Sequence, residues 1–163
     1  SGTTPYALSL AQAAKRRGAT VIAIANTPGS SLLGLSDIAV CLPTGPEAIA
    51  GSTRLGAGTA QKIALNMIST LTGVLLGHVH DGMMVNLNAD NIKLRKRAAT
   101  IVRTIADVSE KQAESALHHA GHATKDAVLI ALGASAAEAR ALLAANDQHL
   151  APCLDVMASR AQS

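Results

Sequence analysis

The sequence predicts an α/β fold of parallel strands followed by a small helical subdomain, and three observations predict it. Short apolar runs rich in β-branched residues alternate with amphipathic runs over the first half. Glycine- and hydroxyl-rich loops stand where strand would pass to helix. The second half holds only helical periodicity, punctuated by capping residues and glycines.

The elements follow in order. Pro5 and the basic Lys15, Arg16 and Arg17 frame a first helix, proline suiting its first turn and cations its last. After Gly18, residues 19–25 (ATVIAIA) read as a buried strand bounded by glycine and Asn26-Thr27-Pro28-Gly29. Ser30 to Leu35 form a short helix or turn, and residues 37–43 (DIAVCLP) a second strand that stops at Pro43. Helix, strand, helix, strand implies right-handed parallel crossovers. From about Thr53 to Leu76 a long helix carries Ile63, Met67, Ile68 and Leu71 on an apolar face, which suits interior packing or a dimer contact. Residues 78–91 form a turn-rich connection, and a helix runs from Asn91 to Ala106. Ser109 opens the next helix and Gly121 ends it; Thr124 caps a further one that Gly133 ends; Ser135 and Glu138 form a capping box for another. The partition is 1–87 for the α/β portion and 88–163 for the helical subdomain.

Composition excludes several classes. With 1% aromatic residues and 48% hydrophobic ones, packing rests on aliphatic side chains of a globular protein. The formal charge of +3 gathers in Lys93, Arg95, Lys96, Arg97 and Arg103. No aromatics interleave there, so the helix reads as a solvated face or domain contact, not a nucleic-acid reader. No apolar run approaches the ~20 residues that span a bilayer, and no signal segment opens the chain, so no membrane role and a cytoplasmic location are expected. Cys41 and Cys153 lack metal or redox spacing and read as reduced packing residues.

Chemistry concentrates in two loops. Residues 45–62 (GPEAIAGSTRLGAGTAQK) run glycines and the hydroxyls of Ser52, Thr53 and Thr59 straight into a helix, which is how backbone amides build an anion socket. Ser1-Gly2-Thr3-Thr4 does the same at the first helix. Neither is a Walker A loop or a Gly-x-Gly-x-x-Gly turn, which argues against nucleoside triphosphates and dinucleotides. In a parallel sheet, loops 1–6, 26–31 and 43–53 converge at the carboxyl ends of the strands and form one rim of a pocket. Glu47 precedes the Gly51-Ser52-Thr53 turn, where a carboxylate accepts sugar hydroxyls or pairs with Arg54 or Lys62. His118 with His122, and His78 with His80 and Asp81, lack a His-Glu-x-x-His frame and read as solvated histidines, so no metal is expected. The absence of a Gly-x-Ser-x-Gly elbow argues against a serine hydrolase.

The motifs SGTTPY (1–6), GPEAIAGSTRLGAGTAQKIALNMIST (45–70) and GHVHDGMMVNLNADNIKLRKRA (77–98) closely resemble the N-acetylmuramic acid 6-phosphate etherase family. That family is related to the glucokinase regulatory protein and to the sugar isomerase (SIS) phosphosugar-binding domains. The resemblance covers nearly the whole chain and the second half of the family's length. It implies part of a SIS-type three-layer sandwich, a phosphorylated amino sugar as ligand, a homodimer, no metal or organic cofactor, and a helical region acting as a lid or interdomain element. It also implies that the phosphate is bound by Ser1 and Thr4 with the Gly2 and Thr3 amides, and the sugar by Glu47, Ser52 and Thr53. Thr3 and Gly56 depart from the arginine and lysine usual at those places in the family, removing charge beside the socket. The implied activity is elimination of D-lactate followed by hydration, in peptidoglycan recycling. The family's catalytic glutamates lie upstream of the motif at Ser1, so the enzymatic activity attaches to the parent protein and this chain is expected to be inactive alone. A non-catalytic phosphosugar sensor and a sugar phosphate isomerase with Glu47 as base are the alternative readings.

Overall fold

The computed structural model describes residues 1–161 and divides the chain into two compact units, Ser1–Ser69 and the portion from Thr70 onward. In the first unit α1 (Pro5–Arg16) is followed by β1 (Ile22–Ala25), α2 (Ser31–Leu35), β2 (Ile38–Cys41) and α3 (Gly56–Leu75), within which the division falls. The strands pair in parallel, Ile22 opposite Ile38 and Ala25 opposite Cys41, as the alternation of helix and strand requires. Asp37 anchors this motif: its carboxylate accepts from Lys15 Nζ and from the Val21 amide, each at 2.8 Å. One acidic residue thereby joins the basic end of α1 to the entry of both strands.

The side chains buried in the first unit are small. They are Ala11, Ala23, Ala25, Ala57 and Ser30. The expectation that the first strand is buried is corrected here. Ala23 and Ala25 are buried on one face of β1, while Ile22 on the other is 57% exposed; β2 has no buried residue and Ile38 is exposed. A two-stranded sheet with α2 as its short crossover cannot cover both faces with the described residues. Cys41, read as a packing residue, is likewise exposed at the end of β2.

The second unit builds a larger core. It holds β3 (Val79–His80), β4 (Met83–Met84), α4 (Ile92–Ala106), α5 (Glu110–His119), α6 (Thr124–Ala131), α7 (Ala136–Ala145) and α8 (Leu150–Ala161). Leu129, Val85, Val102, Val128 and Cys153 are completely enclosed, and the alanines of α4 and α5 let the helices approach closely around them. The connection at 78–91 contains an antiparallel hairpin that periodicity did not indicate. Asp81 and Gly82 make its two-residue turn, both at positive φ, as a primed turn requires.

The starts of α4, α5 and α7 follow the capping chemistry. Ser109 with Gln112 and Ser135 with Glu138 both close reciprocal capping boxes, and Asn91 Oδ1 accepts from the Leu94 amide. Thr124 corrects the expectation: it is the first residue of α6 and not its cap, because its Oγ1 donates to the Leu87 carbonyl at 2.7 Å. That bond, beside the bridge pairing Asn88 with Ala123, ties α6 to the segment before α4.

Candidate functional site

The loop that opens the chain is folded by Gly2. Its φ of +77° is open to glycine, and its carbonyl accepts from the Leu32 amide at 2.9 Å, fastening the loop to the first turn of α2. A Cβ at Gly2 would collide with the Ser30 side chain and press on Ala25. Loops 1–6 and 26–31 therefore meet at the end of β1, as the sequence predicts.

The polar groups of this loop are largely unspent. Thr4 is the N-cap of α1, yet its hydroxyl makes no capping bond, and Pro5 contributes no N–H. Ser30 is 6% exposed, and its Oγ is buried without a hydrogen-bond partner. Ser1, Thr3 and Thr4 are exposed.

The start of α3 differs. Glu47 Oε2 accepts from the Gly56 amide and Oε1 from the Ala57 amide, each at 3.0 Å. The carboxylate thus lies across the positive end of α3, in the place where the glycine-rich loop would seat an external anion. Glu47 makes neither of the pairings with Arg54 or Lys62 that the sequence allowed, and it is half-buried. Ser52 is half-buried, its amide donating to Ile49 O at 3.0 Å, and Thr53 is exposed. Gly58 packs closely here: a Cβ would stand 3.2 Å from the Thr53 carbonyl, a tight contact.

Asn26 links the third loop. Its Nδ2 donates to Leu42 O at 3.0 Å and, more weakly, to Ala57 O at 3.4 Å, while its Oδ1 accepts from Gln61 Nε2 at 2.7 Å. Sequence reasoning passed over Asn26 and Gln61. The available signal was an asparagine directly after a strand, in a loop already placed at the pocket rim.

The other candidates stand apart chemically. Gly121 ends α5 and His122 follows at φ +68°, so the spacing of His118 and His122 is not that of one helix face. Among the described residues no three His, Cys, Asp or Glu side chains gather where a metal ion would be held. The basic residues of α4 are exposed. A cleft of about 640 Å³ within the second unit sets Arg95 and Lys96 across from Glu110 and Glu114, over a floor of Ala99 and Leu117. No single helix among the described residues is long and apolar enough to cross a membrane.

Comparison with known proteins places this geometry. Residues 1–71 match the SIS domain, and residues 81–163 match the C-terminal lid domain of glucokinase regulatory protein. The chain is 46% identical over 140 residues to an N-acetylmuramic acid 6-phosphate etherase of Deinococcus radiodurans, covering 85% of this chain and 46% of that protein. It is 44% identical over 156 residues to the protein of that name from an Enterobacter species, covering 95% and 52%. With that of Microcystis aeruginosa it shares 46% over 143 residues, covering 87% and 47%. The chain belongs to the N-acetylmuramic acid 6-phosphate etherase family. It spans about half the length of the curated relatives it matches. Within this etherase family portion, the SIS match takes in both glycine-rich loops, and the lid match takes in the helices from α4 to α8.

Proposed function

We propose that this chain is the phosphosugar-binding portion of an N-acetylmuramic acid 6-phosphate etherase, and that the phosphate sits at the start of α1. The observation that carries the placement is the contrast between the two sockets. Glu47 fills the positive end of α3, whereas Thr4 caps nothing with its side chain and Ser30 Oγ has no partner beside Gly2. Ser1 and Thr4 supply hydroxyls and Gly2 and Thr3 supply amides, groups that hold an anion without fixed positive charge. Ser52 and Thr53 belong to the part of the rim that faces the sugar, on the loop whose ends Glu47 joins.

The reaction proposed for the whole protein removes a proton from sugar C2 and breaks the C3–O ether bond, releasing D-lactate. Water then adds across the resulting double bond, its hydroxyl to C3 and its proton to C2, giving N-acetylglucosamine 6-phosphate. Both steps need carboxyl groups near those carbons, which family resemblance assigns to the portion upstream of Ser1. This chain contributes phosphate binding and orientation, and by itself has no lyase activity. The phosphosugar-binding portion extends over 1–87 and the helical subdomain over 88–163. The protein is cytoplasmic, works as a homodimer without metal or organic cofactor, takes part in peptidoglycan recycling and engages neither nucleic acid nor membrane.

The test is a titration of the chain with N-acetylmuramic acid 6-phosphate, followed by amide NMR, with inorganic phosphate as control. Shifts in Gly2 to Tyr6 with both ligands, and tighter binding of the sugar phosphate, are expected. Equal binding of the two, or none, overturns the reading.

A further inference from the structure

The end of β1, the end of β2 and the start of α3 are joined by a small polar network. Asn26 is half-buried and uses both faces of its amide: the NH2 group reaches Leu42 O and Ala57 O, and the oxygen receives Gln61 Nε2. Ala57 belongs to a second set of bonds, since its amide donates to Glu47 Oε1 while its carbonyl receives Asn26. Glu47 adds the Gly56 amide through Oε2. Ala57, 4% exposed, is the shared node.

This arrangement has a geometric effect on the loop between Glu47 and Gly56. The carboxylate draws the loop's two ends together, because it belongs to one end and grips the amides of the other. Asn26 holds that closed end against the carboxyl edge of the sheet. Ser52 and Thr53 lie inside the closed loop, where the Ser52 amide bond to Ile49 O and the close approach of Gly58 to the Thr53 carbonyl define their backbone. A charged acceptor on helix-start amides is among the stronger backbone anchors.

We propose that Asn26 and Glu47 are positioning residues of the phosphosugar site, closing and seating the loop that presents Ser52 and Thr53 to the ring of the sugar. The proposal rests on the phosphosugar reading and deepens it: specificity for sugar over bare phosphate comes from the Glu47-clamped loop, and anion binding comes from the loop at α1. Glu47 acts through the amides it holds, not by touching sugar.

The experiment is the same titration, with N-acetylmuramic acid 6-phosphate and inorganic phosphate each added to the wild-type chain and to Glu47→Ala, Glu47→Gln, Asn26→Ala and Asn26→Asp. Glu47→Ala and both Asn26 variants are expected to weaken the sugar phosphate roughly tenfold, the scale of a lost charge-assisted or paired bond. Inorganic phosphate should stay within about twofold, since its contacts are elsewhere. Glu47→Gln keeps one acceptor oxygen for α3 and should recover most of the sugar affinity. If an alanine variant loses its dispersed amide spectrum, Glu47→Gln and Asn26→Asp decide. The proposal is overturned by unchanged sugar-phosphate affinity, by equal loss for both ligands in a folded variant, or by a Glu47→Gln loss as large as that of Glu47→Ala, which would put the carboxylate on the sugar itself. A wild-type chain that does not prefer the sugar phosphate overturns the phosphosugar reading instead, a result distinct from any of these.

Discussion

Gly2 and Lys125 show how much structure single residues hold in place. At Gly2 a methyl group has no room beside Ser30, and the φ of +77° strains any L side chain. Gly2→Ala is therefore expected to destabilise the first unit by about 1–3 kcal/mol and to weaken phosphate binding, read by denaturant titration and amide shifts. Lys125 is 5% exposed, and its ammonium donates to Gly77 O at 3.2 Å and Gln148 O at 2.7 Å. Burial pushes its pKa below the ordinary lysine value, the nearby Asp126 opposing that shift. Lys125→Met leaves two carbonyls without their donor and should cost about 2–4 kcal/mol in thermal or chemical unfolding. The glycine was legible in the sequence, because a glycine between hydroxyl residues at a helix start has a backbone reason to be there. The lysine was not legible: on α6 it follows Thr124 as an ordinary polar residue, and only the meeting of Gly77 with the backbone of Gln148 and His149 makes its place interior.

At the scale of elements, capping boxes were readable, whereas the cap of α6 and the covering surfaces were not. Ser109 with Gln112 and Ser135 with Glu138 form the boxes their spacing indicates, because a capping box depends on residues within one turn. The hairpin at 79–84 needed only its Asp-Gly turn to be weighed against the short runs beside it. Burial of β1 holds on one face only, since a β-branched run tells of a strand but not of what lies against each face. The two boxes differ in a way that pH exposes. The Ser135 hydroxyl, followed by its amide, holds the Glu138 carboxyl below its ordinary pKa, whereas Gln112 does not titrate. A carboxyl with a lowered folded pKa binds fewer protons folded than unfolded. Its contribution is thus complete above the unfolded value, about pH 4 to 5, and is lost as pH falls through the lowered folded value. Ser109→Ala should cost about 1 kcal/mol at neutral and acid pH alike. The cost of Ser135→Ala should shrink below about pH 4, and parallel unfolding series at pH 7 and pH 3 measure the difference. Asp37, lowered chiefly by Lys15 and then by the Val21 amide, loses its contribution over the same acid range.

For the molecule as a whole, the distribution of apolar surface sets the expectation. The second unit encloses Leu129, Val85, Val102 and Val128, while the first fully buries only small side chains and leaves several larger aliphatics exposed. Ile63 is 54% and Met67 57% exposed, one turn apart on α3, and Leu10 of α1 is 58% exposed. Apolar side chains one turn apart form a continuous stripe, and a stripe of this kind on a folded chain marks a surface meant for contact. The proposed homodimer supplies that contact through a second copy. Sedimentation velocity over a concentration series should accordingly show association by the wild-type chain. Ile63→Lys with Met67→Lys should suppress it while leaving far-UV circular dichroism unchanged, because both positions already face water and lysine is a good helix former. A wild-type chain that stays monomeric at every concentration would remove the second copy as the occupant of this face. Association that persists in the double variant would move the contact away from α3.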